Sequence, residues 1–174
     1  PALTSQYTIN FNVGANGRLV AGSSTITITF NGSTTVDQAA ANYNNTSITV
    51  DAVPTAIPTT DISVSGQAVT LTIPSTVSID NNESLSISLD RTVSPKPITN
   101  PSSSNDYTLQ VKTSVETGNI TSNSYTISSD SPVTNISVSV FTNIVNDAST
   151  DTVSFRVQNS LLSGSGTITI TFPS

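Results

Sequence analysis

The segment Gly22-Ser-Ser-Thr-Ile-Thr-Ile-Thr-Phe30 recurs near the end of the chain as Ser163-Gly-Ser-Gly-Thr-Ile-Thr-Ile-Thr-Phe172. Each copy follows a matching segment, Thr8-Ile-Asn-Phe-Asn-Val13 in the first case and Thr152-Val-Ser-Phe-Arg-Val157 in the second. Apolar residues that alternate with polar ones are typical of strands with one buried face. The chain therefore carries the first strands of one β module twice. Because the second copy stops at Pro173-Ser174, we expect its last strands to be completed by a neighbouring subunit.

The composition of the 174 residues indicates an all-β fold. There are 30 Ser and 29 Thr, 34% of the residues are hydrophobic and 9% are charged. Val, Ile and Thr are frequent, and their branched side chains suit a pleated sheet. Cys, Met, Trp and His are absent, so disulfides contribute nothing to stability. We predict an antiparallel β-sandwich, immunoglobulin-like or jelly-roll-like, with a C-terminal strand extension.

Alternation and turn residues divide the chain into strands. We predict one helical turn at 36–42 and strands at 6–13, 24–30, 46–53, 60–65, 67–73, 84–91, 106–114, 123–128, 133–141, 150–157 and 166–172. The repeat places a sandwich module at 1–130, and at 131–174 a partial second module or a strand-donating extension. The strand at 133–141 has no counterpart before Tyr7, so we expect the first module to lack its opening strand. A missing strand exposes unpaired backbone groups, which an added strand satisfies.

Several segments resemble known extracellular modules. Beside the two copies of the repeat, these segments are Ile98-Thr-Asn-Pro101, Tyr107-Thr-Leu-Gln-Val-Lys-Thr-Ser114 and Ser122-Asn-Ser-Tyr-Thr-Ile127. Together they are similar to the Ser/Thr-rich immunoglobulin-like modules of prokaryotic cell-surface and S-layer proteins. More loosely, the chain resembles filament and tube subunits such as the cannula proteins of hyperthermophilic archaea. The second resemblance implies a β-sandwich that polymerises by strand donation, with calcium bound between subunits.

Charge and residue types argue against several classes of function. The net charge of −6 and the pI near 4.1, with five scattered Lys and Arg residues, argue against a nucleic-acid partner. No apolar run approaches the roughly 20 residues needed to span a bilayer. Without His or Cys, and with no distinctive spacing of the acidic residues, the sequence indicates no enzyme. A Ser/Thr/Asn-rich acidic chain without Cys or Met is typical of an extracellular or cell-surface protein.

Oxygen-rich turns are the candidate metal sites. The carboxylates of Asp80 and Glu83, and those of Asp147 and Asp151, are ligands that suit Ca²⁺. Asp and Asn also belong in ordinary turns for backbone reasons. The sequence therefore predicts Ca²⁺ as the candidate cofactor and leaves ordinary turns as the alternative.

Asn-X-Ser/Thr sequons are the candidate modification sites, and we single out those at Asn31, Asn82 and Asn119. The chain holds six such sequons among 17 Asn residues. Its Ser and Thr content gives about that number by chance, so the count is no evidence for glycosylation. Tyr43 is the one aromatic ring that we expect to be exposed, which is too little for a carbohydrate-binding platform.

These observations favour a structural role. We predict a secreted subunit that self-assembles into an extracellular filament or tube, with itself as the main partner and other cell-surface components as further candidates. The residues expected at the subunit interface are apolar side chains of the donor strands: Ile136, Val138, Val140, Phe155, Val157, Ile168, Ile170 and Phe172. The alternative is an immunoglobulin-like spacer or adhesion module of a larger surface protein. A calcium-dependent binding module is a third hypothesis.

Overall fold

The chain forms two compact units built from strands. The computed structural model describes residues 6–89, 97–129, 131–158, 161 and 166–172. Unit 1 is Pro1–Ser128 and unit 2 is Ser129–Ser174. The regular structure of the described residues is nearly all β, in several antiparallel sheets, which confirms the predicted all-β sandwich class.

Unit 1 contains thirteen strands and two short 3-10 helices within the described ranges. The strands are β1 (Tyr7–Asn12), β2 (Thr25–Thr29), β3 (Thr35–Val36), β4 (Ser47–Val50), β5 (Val53–Ala56), β6 (Ile62–Ser65), β7 (Ala68–Thr72), β8 (Ser84–Leu89), β9 (Ile98–Thr99), β10 (Asn105–Tyr107), β11 (Gln110–Thr113), β12 (Ile120–Thr121) and β13 (Tyr125–Ile127). The helices are η1 (Ala40–Tyr43) and η2 (Thr59–Asp61). Across the part of the chain that is described, no helix has the length and apolar character needed to cross a membrane.

Two antiparallel sheets make the sandwich of unit 1. The first sheet has the strand order β1-β8-β4-β5, and the second has the order β12-β11-β2-β7-β6. In the first sheet Ile87 lies opposite both Ile9 and Ile48, and in the second sheet Ile28 lies opposite Val69. All five side chains are buried in one hydrophobic core. The core therefore comes from the apolar face that the alternating sequence predicts.

The predicted strand boundaries fail at two places where the chain changes direction. The strand predicted at 46–53 is wrong: β4 and β5 form a hairpin, because Asp51 and Ala52 have φ values of 50° and 62° and reverse the chain. The strand predicted at 106–114 is also two strands, since β10 pairs with β13 whereas β11 pairs with β2 in the second sheet. The helical turn predicted at 36–42 is η1, which begins later, at Ala40.

Unit 2 contains an antiparallel hairpin, and its described residues also include the segment 166–172. Its strands are β14 (Thr134–Val140) and β15 (Asp151–Arg156). They pair with Val138 opposite Val153. The segment 166–172 belongs to no strand, so the strand predicted there is wrong for the single chain. The physical reason is that strand structure requires ladder hydrogen bonds, and the described residues supply none to this segment.

Candidate functional site

Among the described residues, β1 is an edge strand with one open side. Within the described residues its partner strand is β8 alone, and the Val13 N–H continues this ladder by donating to the Glu83 carbonyl at 3.0 Å. The odd-numbered residues of β1 share the orientation of Val13, because backbone groups alternate sides along an antiparallel strand. The N–H and C=O groups of Thr8, Asn10 and Asn12 therefore point away from β8, toward the open side.

A groove runs along this open side of β1. It consists of two adjoining cavities of about 570 and 480 Å³, whose linings share Ile9, Asn10, Leu109 and Ser122. β1 forms one wall, and the opposite wall includes Val111 and Tyr125. We call this feature the β1 groove. It places unpaired strand edge and apolar side chains next to each other.

One end of the β1 groove is aromatic. Tyr7 packs edge-to-face against Tyr125 with ring centroids 5.7 Å apart, and against Phe30 at 5.1 Å. Tyr107 extends the cluster beyond Tyr125. The Tyr7 hydroxyl donates to the Asn100 side-chain oxygen at 2.8 Å. Burial raises the pKa of Tyr7 above its ordinary value, so this end of the groove stays neutral.

The other end of the β1 groove is closed by a carboxylate. Both oxygens of Glu116 accept from the Gly14 N–H, at 3.0 and 3.2 Å, and Glu116 lines the groove. A Cβ at Gly14 would displace this carboxylate, and a Cβ at Gly17 would also collide with the backbone nitrogen of Gly14. The contact ties the turn after β1 to the connection that follows β11. Our sequence analysis missed Glu116, although two glycines in one turn, at 14 and 17, were a signal of a close approach.

The other edges of the two large sheets of unit 1 have features that block strand addition. β5 contains Pro54, which has no N–H to donate to an incoming strand. At the β6 end of the second sheet, η1 packs beside β6, and the Gln38 side chain bonds both the N–H and the C=O of Gly66. β12 has two residues, and very short edges are poor templates. β1 has six residues, none of them Pro or charged, so it lacks these protections.

Unit 2 exposes most of the predicted interface residues. In β14, Ile136, Val138 and Val140 are 53–64% exposed, although all three are apolar. In the segment 166–172, Ile168, Ile170 and Phe172 are 50–69% exposed. Contiguous exposed apolar side chains of this kind are characteristic of interaction surfaces.

The remaining predicted interface residues lie on or after β15. Phe155 is half-buried and Val157 is 42% exposed. Both line an apolar cavity of about 390 Å³ within unit 2, together with Ile136, Ile168 and Ile170. The structure thus brings five of the eight predicted interface residues around one cavity, and Val138, Val140 and Phe172 lie outside its lining.

The candidate calcium ligands make local hydrogen bonds. Asp80 lies 3.5 Å from the Arg18 guanidinium, and the Glu83 carboxylate accepts from the Asp80 N–H. In unit 2, Asp147 accepts from a threonine hydroxyl and Asp151 from a serine hydroxyl. No cluster of three or more His, Cys, Asp or Glu side chains exists among the residues with described positions. Calcium binding stays a prediction.

The candidate modification sites lie at the surface, and one predicted exposed ring does not. Asn31, Asn82 and Asn119 are exposed, and their glycosylation stays a prediction. The expectation for Tyr43 is wrong, because its side chain is 1% exposed. Its hydroxyl donates to the Asp37 carbonyl at 2.9 Å, so the ring is a core residue with a satisfied polar end.

No family model, curated protein or solved structure matches this chain. The resemblances to surface modules and to cannula-like subunits therefore stay predictions. The groove, the open edge of β1 and the exposed apolar residues of unit 2 are features of this chain itself.

Proposed function

We propose that the protein is a non-enzymatic structural subunit that self-assembles by β-strand complementation between copies. Unit 2 of one copy supplies a strand, and the β1 groove of the next copy accepts it. The observation that carries this proposal is the open, uncharged edge of β1 with an apolar groove beside it. An added strand would satisfy the outward backbone groups of Thr8, Asn10 and Asn12 and fill the groove with apolar side chains.

The difference between the two contacting surfaces supports a polymer. The accepting surface lies in unit 1 and the donating surface in unit 2, so the two sides of the contact differ. A contact between unlike surfaces repeats head to tail, and it gives an open filament unless the rotation closes a ring. Each copy carries one acceptor and one donor, which supports a filament or tube built from a single chain. The acidic, Ser/Thr-rich composition supports an extracellular setting for this assembly.

The energetic gain comes mainly from the donor side chains. Full burial of an Ile or Phe side chain contributes roughly 1.5–3 kcal/mol. Ile168, Ile170 and Phe172 are each at least half exposed in the single chain, so much of this free energy remains to be gained on association. The backbone of β1 adds ladder hydrogen bonds, each worth about 1 kcal/mol net.

Charged substitutions on β1 test the proposal. The side chains of Thr8 and Asn10 are exposed, so Thr8→Lys/Asn10→Lys leaves the core intact while it adds charge to the open edge. We expect the purified wild-type chain to form concentration-dependent polymers in light scattering and electron microscopy, and the Lys variant to stay monomeric. Ser63→Lys, at an exposed position of β6, is the matched control and should assemble normally. Normal assembly of the β1 variant would refute the proposal.

A second candidate function has one observation in its favour. β15 and 166–172 repeat the sequences of β1 and β2 in the same order, as tandem immunoglobulin-like modules of a longer surface protein would. In that case the groove is filled within one polypeptide, and the purified chain stays monomeric at all concentrations. Light scattering over a concentration series therefore separates the two functions.

A further inference from the structure

The same hexapeptide has two different environments in this protein. Thr25-Ile-Thr-Ile-Thr-Phe30 and Thr167-Ile-Thr-Ile-Thr-Phe172 are identical in sequence. The first consists of β2 and the residue after it, Phe30. β2 lies between β11 and β7 and has ladder partners on both sides. The second has no ladder partner among the described residues. Because local sequence is the same, the missing element in the second case is a neighbouring strand.

The unpaired hexapeptide is a better donor than β14. β14 already pairs with β15 along most of its length, so one side of its backbone is satisfied within its own unit. The segment 167–172 has no such pairing with any described residue, and pairing with a neighbour gives it a complete ladder on that side. Its three apolar residues are also as exposed as those of β14.

We infer that Thr167–Phe172 of one copy pairs antiparallel with β1 of a second copy, with Thr169 opposite Asn10. This inference rests on the proposed function and adds to it the donor segment, its orientation and its register. The ligand of the β1 groove is thus a strand of a second copy of this chain.

Because side chains alternate between the two faces of a strand, the donor can shift along β1 only in steps of two residues. The exposed face of β1 carries Thr8, Asn10 and Asn12, and the donor must place its threonines on that face and its apolar residues toward the groove. With Thr169 opposite Asn10, all six donor residues lie opposite the six residues of β1. Ile170 then lies opposite Ile9, which is part of the groove lining.

The orientation of the donor strand follows from the difference between the two ends of the β1 groove. In the antiparallel arrangement Phe172 lies opposite Tyr7, at the aromatic end. Phe30, which ends the first hexapeptide as Phe172 ends the second, packs edge-to-face on Tyr7, so the donor ring would join an existing aromatic cluster. In a parallel arrangement Phe172 would lie at the opposite end, beside the Glu116 carboxylate, where an aromatic ring desolvates a charge.

Cysteine pairs test the register directly, because the chain contains no Cys. Opposite Cα atoms of a hydrogen-bonded antiparallel pair are about 5.5 Å apart, within the range for a disulfide. Under oxidation, the full-length double variant Asn10→Cys/Thr169→Cys should form a ladder of disulfide-linked multimers on a denaturing gel. Thr8→Cys/Thr171→Cys should form the same ladder. Ser63→Cys/Thr169→Cys, with its first cysteine on β6, is the matched control and should not.

Each other result overturns the inference in an identifiable way. A ladder from Thr8→Cys/Thr167→Cys in place of Thr8→Cys/Thr171→Cys would show a parallel donor. A ladder from Asn10→Cys/Ser139→Cys without one from Asn10→Cys/Thr169→Cys would make β14 the donor, and the proposed function would stand. A disulfide that forms within single chains, without multimers, would refute donation to a second copy. Failure of the unsubstituted chain to assemble at any concentration would refute the proposed function itself.

Discussion

Truncation of the two donor isoleucines should weaken assembly by a calculable amount. Each Ile→Ala substitution in Ile168→Ala/Ile170→Ala removes three CH₂-sized groups. At about 0.8 kcal/mol per group, full burial of these groups would contribute about 2.4 kcal/mol per residue. The two side chains are 59% and 50% exposed in the single chain, so association can remove about those fractions from water. The expected losses are about 1.4 and 1.2 kcal/mol. Together, about 2.6 kcal/mol corresponds to an approximately 70-fold weaker association.

The assay is the critical concentration for assembly, measured by sedimentation of the unlabelled chain. We expect it to rise about 70-fold in the double variant, while the thermal unfolding of unit 1 stays unchanged. The control is Val20→Ala/Val53→Ala, whose side chains are 58% and 63% exposed and lie outside the groove lining. Its critical concentration should stay within about twofold of the wild-type value. An unchanged critical concentration for the isoleucine variant, or equal effects of the two variants, would show that Ile168 and Ile170 are not buried on assembly.

Three further predictions concern the stability of unit 1. Ile28→Ala, at a fully buried position, should lower the free energy of unfolding by about 2–5 kcal/mol in denaturant titrations, and a change below 1 kcal/mol would contradict the assigned core. Glu116→Ala should cost about 1.5 kcal/mol, because it leaves the Gly14 N–H without its charged acceptor; Thr117→Ala, at the neighbouring exposed position, is the control and should change stability by less than about 0.5 kcal/mol. Burial raises the pKa of Tyr43 above its ordinary value, so the unfolded chain releases this proton first as the pH rises. The stabilisation is present below about pH 10 and is lost above it, so melting temperatures between pH 8 and 12 should fall more steeply for the wild type than for Tyr43→Phe; identical slopes would contradict the assignment.

Strand existence was predictable because it depends on local alternation. Tyr7, Ile9, Phe11 and Val13 recur at every second position, all but the partly buried Phe11 are buried, and β1 lies within the predicted range 6–13. The same holds for β8, where Leu85, Ile87 and Leu89 are buried. A period of two specifies which residues face the core without any knowledge of the neighbouring strands.

Features that depend on chain reversal or on distant partners were not predictable. The reversal at Asp51 and Ala52 uses positive φ at residues other than glycine, for which the sequence has no strong signal. Burial of Tyr43 leaves no unpaired hydroxyl because this group donates to the Asp37 carbonyl, a contact that composition does not reveal. The β1 groove depends on which strands flank β1 in space, and the repeat predicted a missing strand but not the edge where it belongs.

The most direct test of strand complementation is an electron cryo-microscopy reconstruction of the assembled chain. We expect the first sheet to continue across the subunit boundary, with Thr167–Phe172 of one copy hydrogen-bonded along β1 of the next. Density that leaves the open edge of β1 unoccupied in the assembly would contradict it.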